Sequence, residues 1–228
     1  MWKGRFSQDT DEAVQKFTQS LDLDWIMALA DIRGSIAHVR MLGHVGLLSY
    51  EEASIIEKNL SLIADEIKSG EFIPKVSLED VHMNVESRLT ELCGATGAKL
   101  HMGRSRNDQS NTTVRLYLRK ELLNIWDGLK ELISVLLKKA GEQTETVVPG
   151  YTHLQQAQPI SMGQFWMAHA HAFMRDAKRL FDAYDSVDES PLGCGALAGS
   201  TLPLDREFTC RDLGFSSVSG NSMDTVAH

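Results

Sequence analysis

Two short polar segments contain the residue types in this chain that could carry out chemistry. Residues 103–109 read Gly-Arg-Ser-Arg-Asn-Asp-Gln, and residues 149–159 read Pro-Gly-Tyr-Thr-His-Leu-Gln-Gln-Ala-Gln-Pro. Arg104 and Arg106 offer planar guanidinium groups whose paired N–H donors match a carboxylate. An imidazole such as that of His153 exchanges protons near neutral pH. Together, the two segments predict a site for a small polyanion.

Each segment also has a purely structural interpretation. Asn107 and Asp108 lie at the predicted start of a helix, and an Asn or Asp at a helix N-terminus often serves only to cap the first-turn amides. Gly103 and the two arginines favour a site, because a helix N-terminus concentrates donors and a favourable dipole for an anion. A lone loop histidine is more often a surface or capping residue, but His153 follows Thr152 between a Pro-Gly turn and a proline. We therefore predict that both segments contribute to a site.

A third polar segment lies upstream, at residues 79–86. It places His82 and Glu86 four residues apart, on one face of a predicted helix. A metal site needs further ligands, and no Cys or His lies at a suitable spacing from this pair. We therefore predict no metal site here. The pattern indicates either a polar active-site wall or a solvated helix face. Gly34 and Ser35 interrupt another predicted helix, which indicates either close helix packing or the approach of a substrate.

The apolar pattern predicts an almost entirely helical chain, with no alternating run long enough for a sheet. Ser49 followed by Glu52 predicts a capping box, and Gly70 predicts the end of that helix. Pro159 is predicted to occupy the first turn of the last long helix. Helices are predicted at residues 22–48, 49–70, 79–93, 107–139 and 160–187.

The last two predicted helices are long and apolar on more than one side. In the helix at residues 107–139, leucine or isoleucine recurs in a heptad pattern, and a second apolar line flanks it. Such a helix needs several neighbours to cover it, which predicts a multi-helix bundle. We expect other chains, or further parts of the same chain, to cover these helices. The C-terminal residues carry no capping or tail signature, so we expect the protein to continue beyond residue 228.

Composition excludes several classes of function. The chain has 228 residues and a net charge of −8, without a basic run interleaved with aromatics, which argues against a nucleic-acid surface. No stretch approaches about 18 consecutive apolar residues, so no membrane span is expected. The first residues contain no apolar signal core, and we expect a cytoplasmic protein. Cys93, Cys194 and Cys210 are scattered, which predicts neither a disulfide framework nor a zinc site.

Taken together, these residues resemble the argininosuccinate lyase family, within the fumarase/aspartase superfamily. The segment at residues 103–109 discriminates within the superfamily, because fumarases, aspartases and adenylosuccinate lyases share the Thr-His loop but carry different residues where this chain has Arg104-Ser-Arg-Asn-Asp-Gln. The similarity covers essentially the whole chain and includes Trp2-Lys-Gly-Arg-Phe, Glu79-Asp80-Val81-His82, residues 103–109, Gly150–Pro159, Gly195-Ala-Leu-Ala-Gly, Pro203-Leu-Asp-Arg-Glu and Asn221-Ser.

The resemblance implies a reversible β-elimination of argininosuccinate to arginine and fumarate, without a metal or organic cofactor. This reaction needs a base for the proton beside a carboxylate, donors for the dianionic aci-carboxylate, and an acid for the departing guanidinium nitrogen. By family correspondence, His153 serves in proton transfer. The same correspondence gives a set of residues that contact or line the substrate site: Ser35, Asn107 and Thr152 as contacts, Arg106 as a carboxylate anchor, and His82 and Asn84 as lining residues.

The resemblance also implies an all-α fold. A small N-terminal helical domain, residues 1–106, is expected to precede the first long helices of a central helical bundle, residues 107–228. Family members are about twice this length, form homotetramers and build each site from three subunits. Their third signature is a flexible loop with a catalytic serine and a lysine, which lies beyond residue 228. We therefore expect catalysis to need that loop. Met102 and Cys194 replace a typical Thr and Ser, and we expect both changes to be tolerated.

Two other functions stay open at this point. The family includes lens crystallins that kept the fold as structural proteins, and an inactive fragment of a lyase belongs to the same class. The intact His153 and Asn107 favour the enzyme over these alternatives. A different lyase of the superfamily is the third possibility, against which the segment at residues 103–109 argues.

Overall fold

The computed structural model describes residues 11–228. The opening motif, Trp2-Lys-Gly-Arg-Phe, lies outside the described residues. The described residues form two compact units. The first contains the described residues up to Tyr117 together with Asp188–His228, and the second is Leu118–Val187. The chain returns to the first unit after Val187, which the sequence pattern does not reveal. The domain boundary expected between residues 106 and 107 stays a prediction.

Helices dominate the described residues, as predicted, and the strands are few and short. In chain order the helices are α1 (Glu12–Thr18), α2 (Leu21–Asp24), α3 (Ala28–His44), α4 (Tyr50–Ser69), α5 (Val81–Cys93), α6 (Arg106–Glu142), α7 (Met162–Val187), α8 (Arg206–Leu213) and α9 (Ser222–Ala227). The strands are β1 (Val147–Thr152), β2 (Gln155–Ser161), β3 (Glu189–Ser190) and β4 (Ser217–Val218), and 3₁₀ turns occur at Trp25–Met27, Val76–Leu78 and Gly94–His101.

The first long helix is shorter than predicted and is interrupted near its start. A 3₁₀ turn separates α2 from α3. Before this turn, the Asp24 carboxylate accepts hydrogen bonds from Ser20 Oγ and the Val81 amide, a tertiary contact that periodicity does not reveal. At the other end, Gly46 adopts a left-handed φ of 75°, and the following amides donate to Leu42 O. This C-terminal cap ends α3 at His44 instead of residue 48.

The predicted caps of α4 are confirmed. Ser49 Oγ accepts from the Glu52 amide, and the Glu52 carboxylate accepts from the Ser49 amide in return. Gly70 ends the helix with a left-handed φ of 79°.

We predict that Ser49→Ala lowers the free energy of unfolding by about 1 kcal/mol, because the amides of the first turn lose their side-chain acceptor. Ser61→Ala is the matched control, since Ser61 is exposed in the middle of α4 and bonds only its own helix. Urea denaturation of both variants measures the difference. Equal midpoints for the two variants would contradict the role of the cap.

The main core of the first unit lies between α3, α4 and α5. Aliphatic side chains at helical spacing on the three helices are fully removed from solvent, and Leu100 from the following 3₁₀ turn joins them. A smaller cluster, around α8, packs against α3 and the start of α6. The two clusters fix α3 between α5, α6 and α8. The buried members of the main core include Ile32, Val39, Leu42, Ile56, Leu60, Ile63, Val85 and Leu89.

The second unit contains a β-hairpin that the sequence analysis did not predict. β1 and β2 pair in antiparallel fashion, and Pro159 lies opposite Pro149 within the ladder. The prediction that Pro159 occupies the first turn of a helix is therefore wrong, because α7 begins at Met162. Ser161, just before this helix, accepts a hydrogen bond from the Gln164 amide through its Oγ. Most side chains of both strands are exposed, so no apolar alternation marks them.

The long helices of the second unit expose large apolar side chains in the single chain. Several of the heptad positions are among them, as expected for helices that need further neighbours. The exposed apolar residues on these helices include Leu123, Ile125, Leu132, Val135, Leu137, Phe165 and Phe181. Within residues 11–228, no helix combines the length and hydropathy that a membrane span requires.

Candidate functional site

The segment at residues 103–109 forms the turn that opens α6. Ser105 Oγ accepts the Asn107 amide, and Asp108 Oδ1 accepts the Ser105 amide at 2.9 Å, so Ser105 is the capping residue. Gly103 has a φ of 71°, and a Cβ there would lie 3.0 Å from Leu204 Cδ2. The turn therefore requires glycine at this position. Asn107 therefore does not cap α6, although the sequence left that role open for it.

Asp108 joins this turn to the loop that follows β3. Its Oδ2 accepts the amides of Gly193 and Gly195 at 2.9 and 3.0 Å, and the residue is completely buried. Beside it, Asn107 Nδ2 donates to Ala196 O at 2.9 Å. Because a carbonyl oxygen only accepts, this contact fixes the amide of Asn107 with its nitrogen towards the loop.

The two arginines of the segment have different environments. Arg104 is buried and donates from Nη1 to Ser35 Oγ at 3.0 Å. Its Nε and Nη2 have no hydrogen-bond partner among residues 11–228, and burial lowers the pKa of this guanidinium despite the nearby Asp31 and Glu86. In this structure Arg104 thus directs its guanidinium to Ser35, and an anion contact for this arginine stays a prediction. It lies beneath Ser35, which is itself completely buried.

Arg106 keeps part of its side chain exposed, and acidic neighbours surround it. Its Nη1 donates to Glu86 Oε1 at 3.0 Å and to Gln109 Oε1 at 2.6 Å, and its Nε lies 3.3 Å from Asp80 Oδ2. Burial alone would raise the pKa of Glu86, but His101, Arg106 and Arg104 together lower it to about 2. Burial raises the pKa of Asp80, in spite of its bond to the Met83 amide and the Arg106 charge. Arg106 is thus a pre-oriented cation.

His82, on α5, is in contact with a buried carboxylate, that of Asp31. Its Nδ1 is 2.7 Å from Asp31 Oδ1, and that same oxygen accepts Gln109 Nε2 at 2.9 Å. Burial would lower the pKa of His82, but the charge and hydrogen bond of Asp31 raise it overall. Burial likewise opposes ionisation of Asp31, and His82, Arg104 and Gln109 nevertheless bring its pKa well below the usual range.

Asn84 is engaged with the backbone of a neighbouring loop. Its Oδ1 accepts the Lys75 amide at 2.7 Å, and its Nδ2 donates to Lys75 O and Asp80 O. The side chain is buried and its hydrogen-bonding groups are used in these contacts. The structure gives Asn84 a role in shaping the loop before α5. Its role as a lining residue stays a prediction.

Thr152 and His153 lie in the second unit, at the end of the hairpin. Thr152 closes the ladder opposite Gln155, and His153 with Leu154 makes the two-residue turn. Both turn residues have positive φ angles, 51° and 60°, which are uncommon for residues other than glycine and especially so for a leucine. His153 is exposed. The backbone thus presents the imidazole on a tight, strained turn rather than on a flexible loop.

The first unit therefore brings together Arg104, Ser35, Arg106 and His82, and it places Asn107 at the adjoining start of α6. Thr152 and His153 belong to the second unit. Gly34 lies against α6, with Thr112 Cγ2 at 3.6 Å from the position a Cβ would take, which favours the packing interpretation. Among residues 11–228, no group of three His, Cys, Asp or Glu side chains could bind a metal ion together.

Sequence reasoning named Ser35 but missed two other polar residues on the same helix, Asp31 and His38. Asp31, Ser35 and His38 follow one another at helical spacing on α3, and all three are buried. Polar residues in a row along one face of an otherwise apolar helix are the sequence signal that could have indicated this part of the site. His38 lies 2.9 Å from Met102 O through Nε2, and burial together with the Arg104 charge lowers its pKa to about 3, so it is neutral. Asp108 and Gln109 lay inside the predicted segment without assigned roles.

Comparison with known proteins matches the whole described chain. A family model described as Lyase matches residues 4–228. The argininosuccinate lyase of Desulforamulus reducens is 51% identical over 227 residues, which are 100% of this chain and 49% of that protein. The argininosuccinate lyase of Acinetobacter baylyi is 50% identical over 100% of this chain and 48% of its own length. The chain spans about half the length of the curated relatives it matches.

Two solved structures are similar to this chain. EDDS lyase in complex with formate has a TM-score of 0.80 and 31% identity, covering 88% of this chain and 39% of that one. The fumarate lyase:delta crystallin from Brucella melitensis has a TM-score of 0.72 and 22% identity, covering 91% of this chain and 51% of that one. The second likeness concerns the fold alone.

Proposed function

The chain belongs to the lyase family, and from that premise we propose that it forms the N-terminal half of an argininosuccinate lyase. One observation carries the proposal: about half of all residues are identical to argininosuccinate lyases across the full length of the chain. The proposed reaction is the reversible β-elimination of argininosuccinate to arginine and fumarate, without a metal or organic cofactor.

The chemistry assigns a task to each candidate residue. The base must remove a proton beside a carboxylate, and His153 is proposed for proton transfer because its imidazole is exposed on a rigid turn. The developing dianion needs fixed donors. Arg106 is proposed as a carboxylate anchor, and Thr152 as a contact beside the base.

Two polar side chains are pre-oriented by their neighbours. Asn107 turns its nitrogen towards Ala196, so its oxygen is the end left to accept a donor from substrate, such as a guanidinium N–H. Ser35 accepts from Arg104, which cannot accept in return, so the hydroxyl hydrogen of Ser35 is available for a substrate oxygen. Because Ser35 is buried, this second contact requires a local rearrangement around Arg104 when substrate binds.

We predict that Arg106→Lys raises KM for argininosuccinate about tenfold, because an ammonium cannot reproduce the forked donors that match a carboxylate. Arg88→Lys is the matched control, since Arg88 on α5 also pairs with two carboxylates but lies outside the proposed site. Initial-rate measurements over a range of argininosuccinate concentrations give both KM values. An unchanged KM in Arg106→Lys would remove this residue from the proposed anchor.

A substrate panel tests the proposed function. The native protein, as its cells produce it, is purified, its intact mass is recorded, and fumarate release is measured from argininosuccinate, adenylosuccinate, aspartate and malate. We expect release from argininosuccinate and at least about 10⁴-fold lower kcat/KM for the others, since a site built for particular polar groups rejects analogues that lack them. A preference for another substrate would assign a different lyase, and no turnover of any of the four would favour the non-catalytic alternative.

We further propose that the native protein is a cytoplasmic homotetramer whose sites are shared between subunits. The support is the set of large apolar side chains that α6 and α7 expose in the single chain, including Ile125, Val135 and Phe181. Several large apolar side chains exposed along long helices are expected where those helices pack against further neighbours. Light scattering of the native protein gives the number of subunits.

A further inference from the structure

Asp31 is a buried carboxylate with an unusual set of partners. Three donors from two other helices converge on Oδ1: His82 Nδ1 at 2.7 Å, Gln109 Nε2 at 2.9 Å and Thr113 Oγ1 at 3.3 Å. Burying a carboxylate is costly, and an apolar residue of similar size is often at least as good for stability. This arrangement calls for an explanation other than stability.

The geometry gives Asp31 control over two candidate site residues. Because a carboxylate only accepts, the proton of His82 is placed on Nδ1, and Nε2 is the ring nitrogen that Asp31 leaves free. Because Gln109 directs its nitrogen to Asp31, its oxygen is directed to Arg106, which donates to it at 2.6 Å. The carboxylate thus holds a proton on Nδ1 of His82 and sets the orientation of the Gln109 amide.

Asp31 itself is out of reach of a substrate. The residue is 1% exposed, whereas the side chain of Arg106 is 31% exposed. An effect of Asp31 on ligand binding therefore has to pass through His82 and Gln109. This separates it from Asn107 and Arg106, whose side chains are at least partly exposed and which are proposed to contact substrate directly.

We propose that Asp31 is a positioning residue that keeps His82 cationic and Arg106 aligned, so that the first unit presents two fixed positive groups to the carboxylates of substrate and product. The inference rests on the proposed function, because it names fumarate as the dianion that these groups meet. Charge-assisted hydrogen bonds from fixed donors are among the stronger polar contacts in proteins.

The charge of His82 gives the inference a pH dependence. The charged groups around its ring are Asp31 from α3, Asp80 before α5, and Arg106 from α6, of which the two carboxylates favour the imidazolium and the guanidinium opposes it. Arg104 acts on Asp31 from the loop before α6. Without the Asp31 charge, the effect of burial prevails and the pKa of His82 falls. The imidazolium is then lost at a lower pH than in the wild type.

The test is the affinity of the native protein for fumarate, measured by calorimetry across the neutral range. Asp31→Asn keeps the shape and removes the charge, and we expect about tenfold weaker binding near neutral pH. The loss of affinity should begin at a lower pH than in the wild type, because the Asp31 charge that raises the pKa of His82 is gone. Gln109→Met breaks the link to Arg106 and removes one donor from Asp31, but it leaves the carboxylate and its contact with His82 in place, so it should weaken binding about equally at every pH. The comparison of the two variants separates the effect of Asp31 on His82 from its effect, through Gln109, on Arg106.

Asp24→Asn is the matched control, because Asp24 is another buried carboxylate of the first unit and accepts from Ser20 and the Val81 amide, not from His82 or Gln109. It should lower stability and leave the pH dependence of fumarate binding unchanged. Wild-type pH dependence in Asp31→Asn, or the same shift in Asp24→Asn, would overturn the inference while argininosuccinate turnover by the wild type still supported the function. A wild type that neither binds fumarate nor turns over argininosuccinate would overturn both.

Discussion

In the native protein, His153→Gln lowers kcat for argininosuccinate by about 10²- to 10⁴-fold, the usual contribution of a positioned acid or base. Glutamine has a similar size and polarity but cannot exchange a proton. The residue lies on a two-residue turn whose φ angles, 51° at His153 and 60° at Leu154, are imposed by the ladder on both sides. The substitution therefore changes the chemistry of the side chain and leaves the hairpin in place.

His171→Gln provides the control for this prediction, because His171 is another exposed histidine of the second unit, on α7. We expect kcat of this variant to stay within about twofold of the wild type, as for ordinary surface substitutions. Single-turnover rates with saturating argininosuccinate compare the chemical step directly. Equal losses in the two variants, or a His153→Gln protein as fast as the wild type, would exclude His153 from proton transfer.

Asp108→Ala destabilises the native protein by about 3 kcal/mol or more, because three amides lose their acceptor in a buried place. The amides of Ser105, Gly193 and Gly195 all donate to this one carboxylate. The loop that Asn107 contacts through Ala196 also loses its attachment to α6. We therefore expect a lower denaturation midpoint and, under conditions in which the variant is folded, a higher KM.

The control for Asp108 is another aspartate on the same helix. Asp127 is exposed and pairs only with Lys130 one turn away, so Asp127→Ala should leave the midpoint unchanged within error. Guanidinium denaturation followed by circular dichroism compares the two variants. A midpoint of Asp108→Ala equal to that of Asp127→Ala would show that the carboxylate does not support the loop.

Local signals in the sequence predicted most of the helices, because they depend on neighbours in the chain. Ser49, Glu52 and Gly70 cap α4 as predicted, since capping chemistry acts within a few residues. The hairpin of β1 and β2 was missed for a physical reason. Its side chains are largely exposed on both faces and Pro149 faces Pro159, so neither apolar alternation nor β-propensity marks the strands.

The candidate site was predicted at the level of segments and less well at the level of side chains. The arginine segment does gather at the start of α6, but only the fold shows that Arg104 points inward to Ser35 while Arg106 is partly exposed. Asp31 and Asp108 act through contacts with residues between 50 and 90 positions away in the chain. Such partners depend on how helices pack, which a single sequence does not specify.

The most direct test of the account is the product balance of argininosuccinate turnover by the native wild-type protein, with arginine and fumarate quantified separately by chromatography. The proposed β-elimination predicts that arginine and fumarate appear in equal amounts and that the release of both is lost in His153→Gln. Fumarate without arginine, or neither product from a folded protein of confirmed mass, would contradict the assignment.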